Sequence, residues 1–128
     1  MLQLPSPVQL LDHHPGKERG IRVFMKRDDL IHPDVSGNKW RKHKYNIQES
    51  QLQNVHTLVT AGGPWSNHLA ATAAVGNLMG FKTRSFIRGV EPTTWSDTLL
   101  FCKNKGMEFT FLPKIEFDQF VFSAQVSS

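Results

Sequence analysis

Apolar and polar residues alternate in short segments of the chain, and this period of two predicts β-strands. Residues 21–26 form the first such segment, and a charged Arg-Asp-Asp run ends it. Residues 57–61 form a short, β-prone run that stops at Gly-Gly-Pro, whereas residues 82–88 and 107–112 alternate again. The pattern therefore predicts four strands, each bounded by turn or charged residues.

Helix signals lie between the predicted strands. Asn38 follows a glycine and is a plausible N-cap for a helix that runs to about Ser50. Ser66 or Asn67 is predicted to cap a second helix, whose alanine-rich interior packs closely on a sheet until Gly80 ends it. Both helices begin directly after a glycine-containing stretch, where the backbone can approach a ligand.

The last third of the chain holds one more predicted helix and a tail. Thr94 and Asp97 have the spacing of a capping box, which predicts a helix that Gly106 closes. Residues 117–122 contain phenylalanines that lack an evident partner element. Residues 1–20 hold three prolines and two adjacent histidines and predict an irregular lead-in.

The order strand, helix, strand, helix, strand from residue 56 to residue 112 predicts right-handed βαβ crossovers and a parallel sheet. A length of 128 residues with 39% apolar and 20% charged residues suits one globular domain. We therefore expect an α/β fold in which helices flank a parallel sheet in three layers.

Charge and cysteine content narrow the class of protein. The net charge of +4 comes from 15 basic and 11 acidic residues that share the same surface segments, so a nucleic-acid partner is not expected. Neither a secretory signal nor a membrane-spanning segment is predicted. The single cysteine, Cys102, excludes an internal disulfide, lies on an apolar helix face and suits a cytoplasmic location.

The segment Gly37-Asn38-Lys39-Trp40-Arg41-Lys42 suggests covalent chemistry at Lys39. A lysine carries an aldehyde cofactor only when its amine is partly uncharged, and the positive end of a helix dipole favours the uncharged form. On spacing alone the ordinary interpretation is favoured, in which Lys39 is one solvated residue of a basic helix face.

The segment Gly62-Gly63-Pro64-Trp65-Ser66-Asn67-His68 suggests an anion-binding turn. Its backbone N–H groups could hold a carboxylate or phosphate, and the Ser66 hydroxyl would face that anion. A simple helix cap is an equally good account of Ser66. Ligands of open α/β sheets bind beyond the carboxyl ends of the strands, where this turn is predicted to lie, and this favours the functional interpretation.

Other familiar sites are disfavoured. The G-x-G-x-x-G spacing of nicotinamide enzymes is absent, and Ser66 lacks the G-x-S-x-G elbow of esterases. The six histidines show no metal-ligand spacing, so no metal site is predicted, and most histidines are expected at the surface.

With these segments, the sequence resembles the family of 1-aminocyclopropane-1-carboxylate deaminase and D-cysteine desulfhydrase. These are pyridoxal-phosphate enzymes of the tryptophan synthase β-like superfamily, called fold type II. The resemblance covers roughly residues 22–112 and rests on Lys-Arg-Asp-Asp-Leu at 26–30, on the segment 37–42 and on the segment 62–68.

The resemblance implies roles for residues of both segments. Lys39 would attach pyridoxal 5'-phosphate covalently, and Ser66 would help to bind the substrate and relay protons as the second catalytic residue. Asn67 would hydrogen-bond the phenolic oxygen of the cofactor. The implied cofactor-binding set is Lys39, Asn38, Lys42 and Asn67, and the implied substrate-binding set is Gly63, Ser66, Asn67 and His68.

The resemblance also implies the reaction and the organisation of the chain. The substrate would be a small amino acid such as D-cysteine or 1-aminocyclopropane-1-carboxylate, converted to a 2-oxo acid and ammonia, and the enzyme would be a homodimer. Because family members are much longer, the chain is expected to be an incomplete N-terminal part. Residues 1–50 would belong to the large cofactor domain, residues 51–112 to most of the small domain, and residues 113–128 have no assignment.

Three departures from the family pattern concern the substrate. Ser36 replaces a common glycine, Pro64-Trp65 replaces an isoleucine-glutamine pair, and Ala70 replaces an arginine. An alternative hypothesis is a truncated, non-catalytic α/β module that binds small anions or a partner chain through its C-terminal phenylalanines.

Overall fold

A computed structural model describes residues 2–35 and 37–126. Two short 3-10 turns, Lys17–Arg19 and Asp28–Leu30, accompany five strands and four helices in this part of the chain. In chain order these elements are β1 (Val8–Leu10), β2 (Phe24–Lys26), α1 (Asn38–Leu52), β3 (Thr57–Gly62), α2 (Asn67–Met79), β4 (Lys82–Arg88), α3 (Asp97–Asn104), β5 (Met107–Leu112) and α4 (Lys114–Val126).

The main sheet is parallel and has the strand order β3-β4-β5. Along β4, Thr83, Ser85 and Ile87 are buried on the face that α2 and α3 cover. Phe86 lies on the opposite face and contacts Phe120 of α4, with ring centroids 4.1 Å apart. Helices therefore flank a parallel sheet on both faces, which confirms the predicted α/β fold in three layers.

Strands β4 and β5 have the predicted bounds, and β3 begins at the predicted residue and ends one residue later, at Gly62. The predicted cap of α1 is wrong by one residue. Asn38 is the first helical residue, and the cap position belongs to Gly37, whose φ of 63° and ψ of −139° suit a residue without a side chain.

The predicted start of α3 is also wrong. Ser96, not Thr94, is its N-cap, and the Ser96 hydroxyl oxygen accepts a hydrogen bond from the Leu99 N–H at 3.2 Å. The same hydroxyl donates to the carbonyl oxygen of Pro64. The helix therefore begins where a serine can also bind the loop after β3, a contact that sequence spacing does not show.

The lead-in is more regular than predicted. Within residues 1–20, Val8–Leu10 forms β1, which pairs antiparallel with β2 in the register Val8 to Lys26. The predicted strand 21–26 is confirmed only for Phe24–Lys26, the part that pairs with β1. Both strands are exposed along their length.

Two apolar clusters form the core. Trp40 and Ile47 of α1 are buried with Ala74 and Val75 of α2. The second cluster joins α2 and α3 to the sheet and includes Cys102, as predicted. Burial raises the pKa of the Cys102 thiol to about 11, so this cysteine is an inert core residue at neutral pH.

The tail is a helix for which the sequence offered no partner. Helix α4 packs on β4 and β5 and places Phe120 against Phe86, whereas the Phe122 side chain stays 69% exposed. None of the helices in residues 2–35 and 37–126 combines the length and the apolarity required to cross a membrane.

Candidate functional site

The start of α1 is fixed by Asp28. Its carboxylate accepts two hydrogen bonds from Arg41, at 2.5 and 2.9 Å, and one from the Ser6 hydroxyl at 2.5 Å. Its carbonyl oxygen accepts from the Gly37 N–H at 2.7 Å. The bonds from Arg41 and Ser6 hold the pKa of Asp28 well below its usual range. The Lys-Arg-Asp-Asp-Leu segment therefore anchors the helix that carries Lys39.

A small pocket of 150 Å³ opens between the first turns of α1 and α2. Lys39 lies in the first turn of α1, as predicted, and its side chain is partly buried. The pocket is lined by Lys39, Lys42 and His43 from α1 and by Asn67, His68 and Ala71 from α2. Two helices that begin 29 residues apart in the chain thus bring four of the predicted site residues together.

The pocket is basic. None of its six lining residues is acidic, and two of them are lysines. Within the described part of the chain, the ammonium groups of Lys39 and Lys42 take part in neither a hydrogen bond nor an ion pair. Arg41, by contrast, forms an ion pair with Asp28. The arrangement favours an anionic ligand that an amine can also attack.

His43 is a pocket residue that the sequence did not single out. Its side chain is 7% exposed, and its ring stacks on that of His68 with centroids 5.3 Å apart. Burial, and secondarily the neighbouring His68, lowers the pKa of His43, so its ring is uncharged at neutral pH. The sequence does contain an indication of this position. Residue 43 lies four positions from both Lys39 and the buried Ile47, and residues at this spacing share one face of a helix.

Ser66 is the N-cap of α2, and its hydroxyl oxygen accepts from the His68 N–H at 3.2 Å. It lies next to the pocket in sequence but does not line it. The cap uses an oxygen lone pair and leaves the hydroxyl hydrogen available to a ligand. The structural interpretation of Ser66 as a cap and the chemical interpretation are therefore compatible.

Gly63 belongs to a different recess. It lines a groove of 570 Å³ beyond the carboxyl ends of the three parallel strands, together with Pro64 and Trp65. The turn from Gly63 to Ser66 is closed by a bond from the Ser66 N–H to the Gly63 carbonyl oxygen at 3.0 Å. The segment 62–68 thus contributes its first part to the groove and its last part to the Lys39 pocket.

Two predicted features lie outside the described part of the structure, namely the side chain of Asn38 and the whole of Ser36. Within the described residues, no group of three or more His, Cys, Asp or Glu side chains is placed to hold a metal ion.

Sequence comparisons give several relatives, although the chain matches no protein-family model. It is 40% identical over 96 residues to a Thermotoga maritima protein provisionally named 1-aminocyclopropane-1-carboxylate deaminase, and this match covers 75% of the chain. It is 34% identical to the Arabidopsis thaliana bifunctional D-cysteine desulfhydrase/1-aminocyclopropane-1-carboxylate deaminase over 69% of the chain. The D-cysteine desulfhydrase of Salmonella paratyphi A is 31% identical over 73% of it. The chain spans 30%, 22% and 28% of the lengths of these three relatives.

Solved structures agree with the sequence matches. A crystal structure of an ACC deaminase homologue superposes with a TM-score of 0.65 and 28% identity, over 87% of this chain and 33% of the homologue. A hydrogen sulfide-producing enzyme of Fusobacterium nucleatum gives a TM-score of 0.63 over 97% of this chain and 40% of that enzyme, but its identity of 10% supports the fold alone. Sequence identity and fold together show that the chain belongs to the family of 1-aminocyclopropane-1-carboxylate deaminases and D-cysteine desulfhydrases, the fold type II enzymes that use pyridoxal phosphate.

Proposed function

We propose that this chain is the part of a pyridoxal-phosphate-dependent deaminase or desulfhydrase that carries the cofactor lysine. The substrate would be a small amino acid such as D-cysteine or 1-aminocyclopropane-1-carboxylate, and the products a 2-oxo acid and ammonia. D-cysteine would also release hydrogen sulfide. The observation that carries the proposal is the pocket in which Lys39, Lys42, Asn67 and His68 meet.

The donor set of this pocket fits the proposed cofactor. Lys39 has a primary amine that can react with the aldehyde of the cofactor. Lys42 has an ammonium group that can pair with its phosphate. The start of α2 adds backbone N–H groups that favour an anion. When bound, pyridoxal phosphate supplies an electron sink for a carbanion next to the amino group of a substrate.

The proposed roles of the other residues follow from their positions. Asn67, at the first position of α2, would orient the phenolic oxygen of the cofactor through its amide group, and Asn38 would support the cofactor from α1. Ser66 would pass the hydroxyl proton that its cap bond leaves free. Gly63 and His68 would contact the substrate from the two ends of the turn.

The division of the chain is part of the proposal. Residues 1–50 would belong to the large cofactor domain and residues 51–112 to the small domain of a homodimeric enzyme. The chain spans 22 to 30% of the three relatives named above, so the activity of a whole enzyme is proposed by analogy with them.

The test is an absorbance titration of the 128-residue chain with pyridoxal phosphate, followed by borohydride reduction and mapping of the labelled lysine. We expect stoichiometric label at Lys39 and its loss in Lys39→Ala. Lys44→Ala is the matched control, because Lys44 lies on the same helix but outside the pocket, with its ammonium 5.4 Å from the Tyr45 ring centroid. Label scattered over several lysines would contradict the assignment of Lys39.

The alternative, a non-catalytic module that binds a partner chain, is supported by exposed apolar residues of α4. Ile115 and Phe122 are 74% and 69% exposed, whereas Phe120 is covered by Phe86. Phe122→Ser should therefore abolish concentration-dependent association if this alternative holds, with Phe120 left intact to preserve the fold. Sedimentation of a monomer at all concentrations would contradict it.

A further inference from the structure

The 570 Å³ groove lies where the three parallel strands end. The turn after β3 forms one wall with Pro64 and Trp65, and the loop after β4 forms another with Val90 and Pro92. Binding sites of open α/β sheets are found at this edge. This groove and the Lys39 pocket share no lining residue, and Gly63 is the one proposed substrate-binding residue that lines the groove.

The walls of the groove are apolar and open. Ile87, 1% exposed, lies at the base, and Phe111 is partly buried beside it. Trp65 and Val90 are 76% and 77% exposed at the rim. An indole and a phenyl ring in one recess offer faces and edges to a further aromatic ring, which is an arrangement that attracts flat apolar ligands.

Hydrogen bonds hold the loops that shape the groove. The Ser96 hydroxyl donates to the carbonyl oxygen of Pro64, next to Trp65. The Gly89 N–H donates to the Leu112 carbonyl oxygen at 2.7 Å, which ties the ends of β4 and β5 together. The recess is therefore largely formed before a ligand arrives, which reduces the entropy lost on binding.

The charge of the groove is positive. Arg88 and Lys114 are its charged lining residues, and none of the ten lining residues is acidic. Asp118 lies 3.9 Å from Arg88 and partly offsets that charge. Within the described residues the Lys114 ammonium has no ion pair, so it remains available to an anion.

We propose that this groove binds small aromatic carboxylates, with the ring against Trp65 and Phe111 and the carboxylate paired with Lys114. The apolar walls select the ring, and the unpaired ammonium selects the acid group. The site is separate from the proposed attachment of a cofactor at Lys39.

The probe for this site is 3-phenylpropionate, titrated into the chain by calorimetry and by tryptophan fluorescence, with Trp65→Ala identifying the contribution of Trp65. This molecule has neither an amine nor an aldehyde or ketone group, so it cannot be a substrate and cannot form an imine with Lys39. Its binding therefore tests the groove independently of the proposed chemistry at Lys39. Propionate lacks the ring and 3-phenyl-1-propanol lacks the charge, and both serve as matched ligands.

We expect saturable binding with a dissociation constant of about 0.1–3 mM, in keeping with a ligand of this size. Both matched ligands should bind at least about threefold more weakly. Trp65→Ala should weaken binding about fivefold, and Lys114→Met about threefold. Tyr45→Ala and Lys82→Met are controls that should change nothing, since neither residue lines the groove.

Trp65 is exposed, so we expect Trp65→Ala to fold as the wild type does. An unchanged circular dichroism spectrum will verify that the variant is folded. Absence of saturable binding up to about 20 mM would overturn the proposal. Equal affinity of the wild type and Trp65→Ala would also overturn it, because the ring would then bind elsewhere.

Discussion

The rings of His43 and His68 stack with centroids 5.3 Å apart and planes inclined by 19°. Through this pair, the helix that carries Lys39 touches the helix start that carries Asn67. The contact therefore joins the N-terminal parts of the two helices that line the Lys39 pocket.

The buried ring of His43 predicts a dependence of stability on pH. The folded pKa of His43 lies below the value of about 6.5 that an unfolded histidine has. Between these two pKa values the unfolded chain therefore binds more protons than the folded one. The free energy of unfolding consequently falls as the pH drops below about 6.5. Urea unfolding at about pH 7.5 and 5.5 should show a smaller fall in His43→Phe than in the wild type.

Two comparisons make this test specific. His13→Phe changes an exposed histidine and should leave the pH dependence as in the wild type. Asp28 does not interfere, because its stabilising effect is lost only in more acidic solution. The same pH dependence in His43→Phe and the wild type would show that the stacked ring is not the titrating group.

A second prediction concerns Gly76 in α2. A Cβ atom at this position would lie 2.1 Å from Cγ2 of Thr83, which is buried on β4. We expect Gly76→Ala to lower the free energy of unfolding by about 1–3 kcal/mol, despite the better helix propensity of alanine. Asn77→Ala, one residue further along and exposed, should not destabilise the chain.

Thr83→Ser removes the methyl group that an alanine at position 76 would meet. The double variant should therefore regain part of the stability that Gly76→Ala loses, as measured by urea unfolding. Additive losses in the double variant would show that the close approach of α2 to β4 is not the cause.

How far the sequence predicts the fold depends on whether an element is fixed locally. Strands β4 and β5 combine an alternating pattern with turn residues at both ends, and their predicted bounds were confirmed. Strand β1 is three exposed residues long and exists through pairing with β2, and no local pattern marks such a strand. Likewise, Ser96 rather than Thr94 caps α3, and Ser96 also reaches Pro64 across the fold.

The candidate site likewise has features that local sequence predicts and features that depend on tertiary packing. The positions of Lys39 and Ser66 at helix starts followed from glycine and cap signals in the sequence. The spacing of His43 from Lys39 and Ile47 indicates its helix face, but its contact with His68 depends on how α1 packs on α2. The groove beyond the strand ends needs three loops from distant parts of the chain. It was therefore visible only in the structure.

A third prediction separates two lysines of α1. Lys42 lines the pocket with Lys39, whereas Lys44 is exposed and lies outside it. If Lys42 pairs with the phosphate, Lys42→Met should weaken binding of pyridoxal phosphate about three- to tenfold. Lys44→Met should bind as the wild type does. Equal loss in the two variants would indicate that only the overall charge of the helix matters.

A fourth prediction concerns the anchor of α1. Asp28 has its pKa depressed, so its contribution to stability is present above the unfolded value of about 3.9 and is lost as the pH falls below it. Asp28→Asn should therefore unfold at lower urea concentration than the wild type at neutral pH. The difference should shrink as the pH falls toward 3. A difference that stays constant down to this pH would assign the loss to packing instead of charge.

The last prediction separates the structural and chemical roles of Ser66. Its hydroxyl oxygen caps α2, so Ser66→Ala should cost about 0.5–2 kcal/mol of stability. Asparagine is an equally good cap but has no hydroxyl proton to pass, so Ser66→Asn should restore stability. Exchange of the α-proton of D-cysteine in D₂O, followed by NMR in the cofactor-loaded protein, then reports the chemistry. If Ser66 relays a proton, exchange stays slow in Ser66→Asn although the helix is capped; if Ser66 is only a cap, Ser66→Asn exchanges as fast as the wild type.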